Sequence, residues 1–158
     1  MPPGPGSDRG ARRRGAVLVP TIFVDTSAWF ALLCDTAAER PEATSTFAEI
    51  ESGRFGAPVT TDYVLDETFT LLRQRVGLAP VARLSALLRE SPSIRRVRIG
   101  EAVFEESLRL MLSRPDKKWS FTDCTSFITM RDARIPRAFT WDHNFVEAGF
   151  EVLPREKP

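Results

Sequence analysis

The chain has 158 residues, 42% hydrophobic and 27% charged, with a formal net charge of +1, a composition that suits one soluble domain large enough to bury its own core. Arg9, Arg12, Arg13 and Arg14 face only Asp8 at the start of the chain, so residues 20–158 are net negative, and bulk charge alone does not hold nucleic acid. A single histidine, His143, excludes a zinc site built from several histidines.

In chain order, residues 1–19 are rich in Pro, Gly and Arg and read as a disordered or mis-assigned tail preceding one domain over residues 20–154. Arg12–Arg14 followed by Ala16–Val19 has the outline of a signal peptide, but Pro20 interrupts it and no small-residue cleavage site follows. The sequence predicts a strand over residues 21–25 and a short helix over 27–34. A second helix follows over 41–52, with Pro41 in its first turn and Gly53 past its end. Next come a strand over 57–60, a helix capped by Asp62 and ending at Gly77, and a helix over 81–89 opened by Pro80. A strand over 94–99 and a helix over 102–113 lead to the turn at Pro115–Asp116. The last elements are a helix from Ser120 to about Ala133, a strand over 137–141, a short helix over 143–148 and a strand over 150–153. This alternation predicts an α/β fold with a mainly parallel sheet and helices on both faces. No stretch reaches membrane-spanning length, and Cys34 and Cys124 lack metal or redox spacing, so a cytoplasmic protein with buried free thiols and no membrane partner is expected.

Acidic residues stand where such a fold gathers chemistry. Asp25 closes the apolar run Thr21–Val24, Asp142 closes Ala138–Trp141, and Asp123 enters a helix behind Ser120-Phe121-Thr122. Ligand crevices in α/β sheets form at the carboxyl ends of the strands. Carboxylates gathered there repel one another unless a cation holds them, which points to a hard-metal site. Each acid also has a structural reading: Ser120-x-x-Asp123 matches a capping box, and Asp25 and Asp142 suit helix N-caps. Helical spacing does not choose between Asp66 and Glu67 in the third helix, since both lie at the margin of its polar face.

Four segments carry a resemblance. Val24-Asp25-Thr26-Ser27-Ala28, the run from Tyr63 to Leu72, Trp119-Ser120-Phe121-Thr122-Asp123-Cys124, and Phe139-Thr140-Trp141-Asp142-His143-Asn144-Phe145 are similar, in order, to the motifs of the PIN-domain family, and more narrowly to VapC-type toxin ribonucleases. The resemblance covers residues 20–153 and implies a PIN-like three-layer α/β/α domain. It places the family's acids on Asp25, Glu67 rather than Asp66, Asp123 and Asp142, with Asp116 as an auxiliary candidate that otherwise reads as an exposed turn residue. It implies Mg²⁺ or Mn²⁺ as cofactor, with Asp25 and Asp123 as principal ligands and Glu67 and Asp142 completing the shell or positioning water. Thr26, Ser27, Thr122 and Thr140 are supporting hydroxyls.

RNA as substrate, a VapB-type antitoxin and a homodimer follow from the same resemblance. Arg73, Arg75, Lys117, Lys118, Arg131, Arg134 and Arg137 are candidate phosphate contacts. Trp29, Phe30, Leu32 and Leu33 are read as core before they are read as a partner groove. Asn144 stands where the family often has another acid or His, which leaves a second metal position open. The competing functions are a non-catalytic PIN-like binding module and a solitary RNA-processing nuclease. A dehalogenase-like phosphatase would need an Asp where Ser27 stands.

Overall fold

The computed structural model describes residues 19–155, so the reading of the Arg-rich tail lies outside the described residues. Five strands, β1 (Thr21–Val24), β2 (Ala57–Thr61), β3 (Arg95–Val97), β4 (Arg137–Phe139) and β5 (Glu151–Leu153), form one sheet in the order β3-β2-β1-β4-β5. Every pairing is parallel, so the sheet expected to be mainly parallel is wholly so. Ile22, Phe23 and Val24 are all 0% exposed, as befits a central strand covered on both faces.

Helices α1 (Thr26–Leu33), α2 (Arg40–Glu51), α3 (Asp62–Arg75), α4 (Leu78–Glu90), α5 (Glu101–Ser113), α6 (Phe121–Asp132) and α7 (Asn144–Glu147) complete a three-layer α/β/α domain. On one side, Trp29 Nε1 of α1 donates to Thr60 Oγ1 at 3.3 Å, and that hydroxyl donates to the Val24 carbonyl at 3.0 Å. The same indole meets Phe47 of α2 edge-on. On the other, Phe23 reaches Phe145 of α7, which packs edge-to-face on Phe127 of α6 at 5.0 Å. Helices α3 and α4 pack on α1, and α5 packs on α6. Trp29 and Leu33 lie in the core, with Phe30 and Leu32 partly buried against it.

Gly56 joins the start of the sheet: at φ +90° its missing Cβ would fall 2.0 Å from the Pro20 carbonyl oxygen, so only glycine lets β2 start beside β1. Several boundaries differ from expectation. Thr61, not Asp62, caps α3, its hydroxyl accepting from Val64 N at 3.1 Å. Helix α4 starts at Leu78, because Pro80 falls in the first turn, where its absent N–H has no intrahelical partner to lose. Strands β3 and β4 stop at Val97 and Phe139, where their register with β2 and β1 ends. Among the described residues no helix is long and apolar enough to cross a membrane.

Candidate active site at the carboxyl edge of the sheet

Asp25 follows directly from β1 and caps α1, its backbone extended and its carboxylate accepting from Ser27 N at 3.3 Å. The Ser27 and Thr140 hydroxyls donate to the same oxygen, Oδ2, at 3.0 and 2.9 Å. Each hydroxyl is in turn held by a backbone N–H of the loop after β4: Trp141 N donates to Ser27 Oγ at 2.9 Å and Asp142 N to Thr140 Oγ1 at 2.9 Å. The aspartate is 4% exposed. Burial pushes its pKa up to about 6, against the opposing pull of the Thr140 hydroxyl, the Thr26 and Ser27 backbone N–H groups and the Ser27 hydroxyl.

The loop that steadies Asp25 continues to the second acid. Asp142 Oδ1 accepts from Asn144 N at 2.8 Å, and Asn144 Nδ2 donates to Asp123 Oδ2 at 3.1 Å. Asp123 is the third residue of α6 and closes a capping box with Ser120, accepting from Ser120 N at 2.8 Å while its own N–H donates to Ser120 Oγ at 3.0 Å. Burial raises its pKa, and the negative charge of Asp142 adds to the rise, while the Ser120 N–H pulls it down. One hydrogen-bonded chain therefore runs from Asp25 through residues 140–144 to Asp123. Capping and convergence describe the same residues here. Asp142 differs from the N-cap expectation: it makes a local turn to Asn144, and His143 is the cap residue of α7 without a side-chain bond.

The remaining candidates lie differently. Glu67 is exposed on α3, one helical turn beyond Tyr63, whose ring meets Phe121 at the start of α6 at 5.9 Å. Residues four apart share a stripe, so Glu67 lies on the side of α3 turned toward the entrance of α6. Asp66 shares the stripe of Asp62, whose carboxylate accepts from Ile99 N at 3.0 Å on the β3 side. Asp116 is held in a two-point pair by Arg114, with both contacts at 3.1 Å, and that guanidinium lowers its pKa.

As the side chains stand, no three His, Cys, Asp or Glu among the described residues are grouped closely enough to hold a metal ion. Like charges without a cation have every reason to stand apart. The donor chemistry nonetheless fits a hard divalent cation. The hydrogen bonds to Asp25 and Asp123 gather on one oxygen of each, and an ionised carboxylate has lone pairs on the other to offer. Thr26 Oγ1, beside Asp25, is buried without a hydrogen-bond partner, the condition of an oxygen awaiting water or an ion.

Of the expected hydroxyls, those of Ser27 and Thr140 donate to Asp25. Both cysteines are free and buried, and burial pushes the Cys124 thiol up to about 11, which removes it as a nucleophile. A cavity of about 580 Å³ lined by Phe127, Arg131, Arg134, Ile135, Pro136 and Phe150 opens toward the amino ends of β4 and β5, away from the acid edge. Asn144 and Trp141 are the site residues that sequence reasoning left without a role; the Asx spacing from Asp142 to Asn144 was the available signal for the first.

The profile of the family described as PIN domain matches residues 22–151. The chain belongs to the PIN-domain family. It is 35% identical over 135 residues, 84% of this chain and 98% of the relative, to the 23S rRNA-specific endonuclease VapC20 of Mycobacterium tuberculosis. The crystal structure of M. tuberculosis VapC20, a sarcin-ricin loop cleaving toxin, matches this PIN domain with a TM-score of 0.74 at 32% identity over 82% of this chain and 95% of that one. A toxin–antitoxin complex from Klebsiella pneumoniae shares the fold at 17% identity, with a TM-score of 0.62 over 86% of this chain and 99% of that one.

Proposed function

We propose that this PIN domain is a Mg²⁺- or Mn²⁺-dependent endoribonuclease and the toxin of a VapBC-type pair, working in the cytoplasm as a homodimer restrained by a VapB-type antitoxin. The observation that carries this reading is the hydrogen-bonded chain joining Asp25, Asp142 and Asp123 at one sheet edge. The likeness to VapC20 supports it over the whole domain and makes a ribosomal RNA loop the first substrate to try.

Hydrolysis of a phosphodiester adds negative charge to the phosphoryl oxygens and to the leaving oxygen, which bare carboxylates would repel. A bound divalent cation supplies the opposing charge and lowers the pKa of a water ligand. In this reading Asp25 and Asp123 are the principal ligands. Asp142 and Glu67 complete the set or orient the attacking water, and Asp116 is at most auxiliary. Ser27 and Thr140 orient Asp25 and Asn144 orients Asp123, so each principal carboxylate would be steadied while the wider set of acids closes around the cation.

The test is cleavage of total RNA and of a sarcin-ricin loop oligonucleotide by the purified chain in Mg²⁺. Cleavage is expected to vanish in EDTA and in Asp123→Asn. Cleavage that survives both treatments overturns the reading, and RNA binding without any cleavage leaves a PIN-like binding module.

A further inference from the structure

Trp141 stands between two clefts beside the acids. One cleft, of about 250 Å³, is lined by Ser27, Phe30, Ala31, Glu39, Leu71 and Trp141. The other, about 80 Å³, is bordered by Thr140, Trp141, Asp142, His143 and Val146 among others. Trp141 is the one residue common to both. Its backbone N–H holds Ser27 Oγ, which holds Asp25, so the backbone that carries the ring is tied to Asp25 within two hydrogen bonds. The ring packs tilted against Phe139, centroids 5.5 Å apart, while the residue is only partly buried.

We propose that Trp141 and Phe30 form a stacking slot for one unstacked nucleobase next to the cleaved phosphate. The occupant is a base rather than a phosphate, because the larger cleft is walled by aromatic and aliphatic side chains and its one charged residue, Glu39, repels phosphate. Single-stranded and looped RNA is recognised by splaying bases onto aromatic rings. A slot joined to Asp25 through Ser27 would fix which bond of the loop meets the acids. This inference rests on the ribonuclease reading and adds its substrate-positioning contact.

The test is a cycle that perturbs the RNA as well as the protein. A set of RNA oligonucleotides, each with one abasic nucleotide at successive positions around the cleaved bond, is assayed with wild type, Trp141→Ala and Trp141→Phe. Loss of stacking is expected to lower kcat/KM roughly 10- to 100-fold, mainly through KM, with Trp141→Phe restoring most of it. At one position the abasic RNA should cost the wild type a similar factor and cost Trp141→Ala nothing more. The abasic arm works on the intact wild-type protein, so a folding defect in Trp141→Ala cannot mimic the result.

Losses that multiply at every position overturn the proposal. So does a Trp141→Ala that binds RNA normally but releases a bound partner protein, since the slot then serves a protein segment. If the wild type cleaves no RNA, the ribonuclease reading fails by itself, and the same cycle read by RNA binding to Asp123→Asn decides the slot independently.

Discussion

Asp25 and Asp123 are buried at helix entrances, and Glu67 and Asp116 are exposed on a helix flank and a turn. The four differ less in residue type than in what the surroundings demand of them. A buried carboxylate with its neighbours fixed has a raised pKa and stores unfavourable charge that a cation would relieve. An exposed one is solvated and can wait for its partner at little cost. Under the proposed metal-dependent reading the buried pair would couple folding to the cation, whereas the exposed pair carries little folding cost of its own.

The largest effect should come from neutralising the buried side. Asp25 has a folded pKa of about 6 against an ordinary 3.8, so between those values the folded chain holds a proton that the unfolded chain has released. Its contribution is therefore fully present below about pH 4 and is lost as pH rises through about 6. The difference corresponds to about 3 kcal/mol. Asp123 shifts in the same sense. In EDTA the wild type should lose melting temperature between about pH 4 and 7. Asp25→Asn, which keeps an acceptor for Ser27 and Thr140, should lose less and melt roughly 6–12 °C higher than wild type at pH 8. Added Mg²⁺ should stabilise wild type alone. A variant that melts lower than wild type at every pH would reduce Asp25 to an ordinary cap.

A smaller effect should separate Glu67 from its neighbour. Glu67 lies on the Tyr63 stripe that meets Phe121, and Asp66 lies on the Asp62 stripe that serves Ile99. If Glu67 completes the ligand shell or orients its water, Glu67→Gln should lower cleavage by roughly 10- to 100-fold, while Asp66→Asn stays near wild type. The reverse result would move the helix acid to Asp66 and turn α3 about its axis in the working complex.

How far the sequence reached follows the range of the interactions. The apolar runs ending at Asp25 and near Asp142, and the Ser120–Asp123 box, are local patterns, and each marks a real junction in the fold. Strand β4 stops at Phe139 rather than Trp141 because its partner register ends there, which no local pattern states. The links that make a site are between distant segments: Ser27 with Trp141, Thr140 with Asp25, Asn144 with Asp123. Helix spacing could not choose between Asp66 and Glu67, because the choice depends on which neighbour, the entrance of α6 or the end of β3, each stripe meets. Trp141 read as the tail of an apolar run, and its two clefts exist only once α1 and α3 on one side, and α7 and β5 on the other, stand around the loop after β4.

The smallest effect is expected at Asp116. Its two oxygens are both engaged by Arg114, whose guanidinium also lies over the Trp119 ring at 5.1 Å. That arrangement anchors the turn ahead of Ser120 and keeps the carboxylate occupied. Recruitment to a cation would have to break a two-point charged pair first. Cleavage by Asp116→Ala should therefore stay within about twofold of wild type, the scale of ordinary surface substitutions, with unchanged Mg²⁺ dependence. A change in the Mg²⁺ concentration needed for half-maximal cleavage is the informative contrary result. It would mean that Arg114 releases Asp116 on RNA binding, and that one exposed acid belongs with the buried pair.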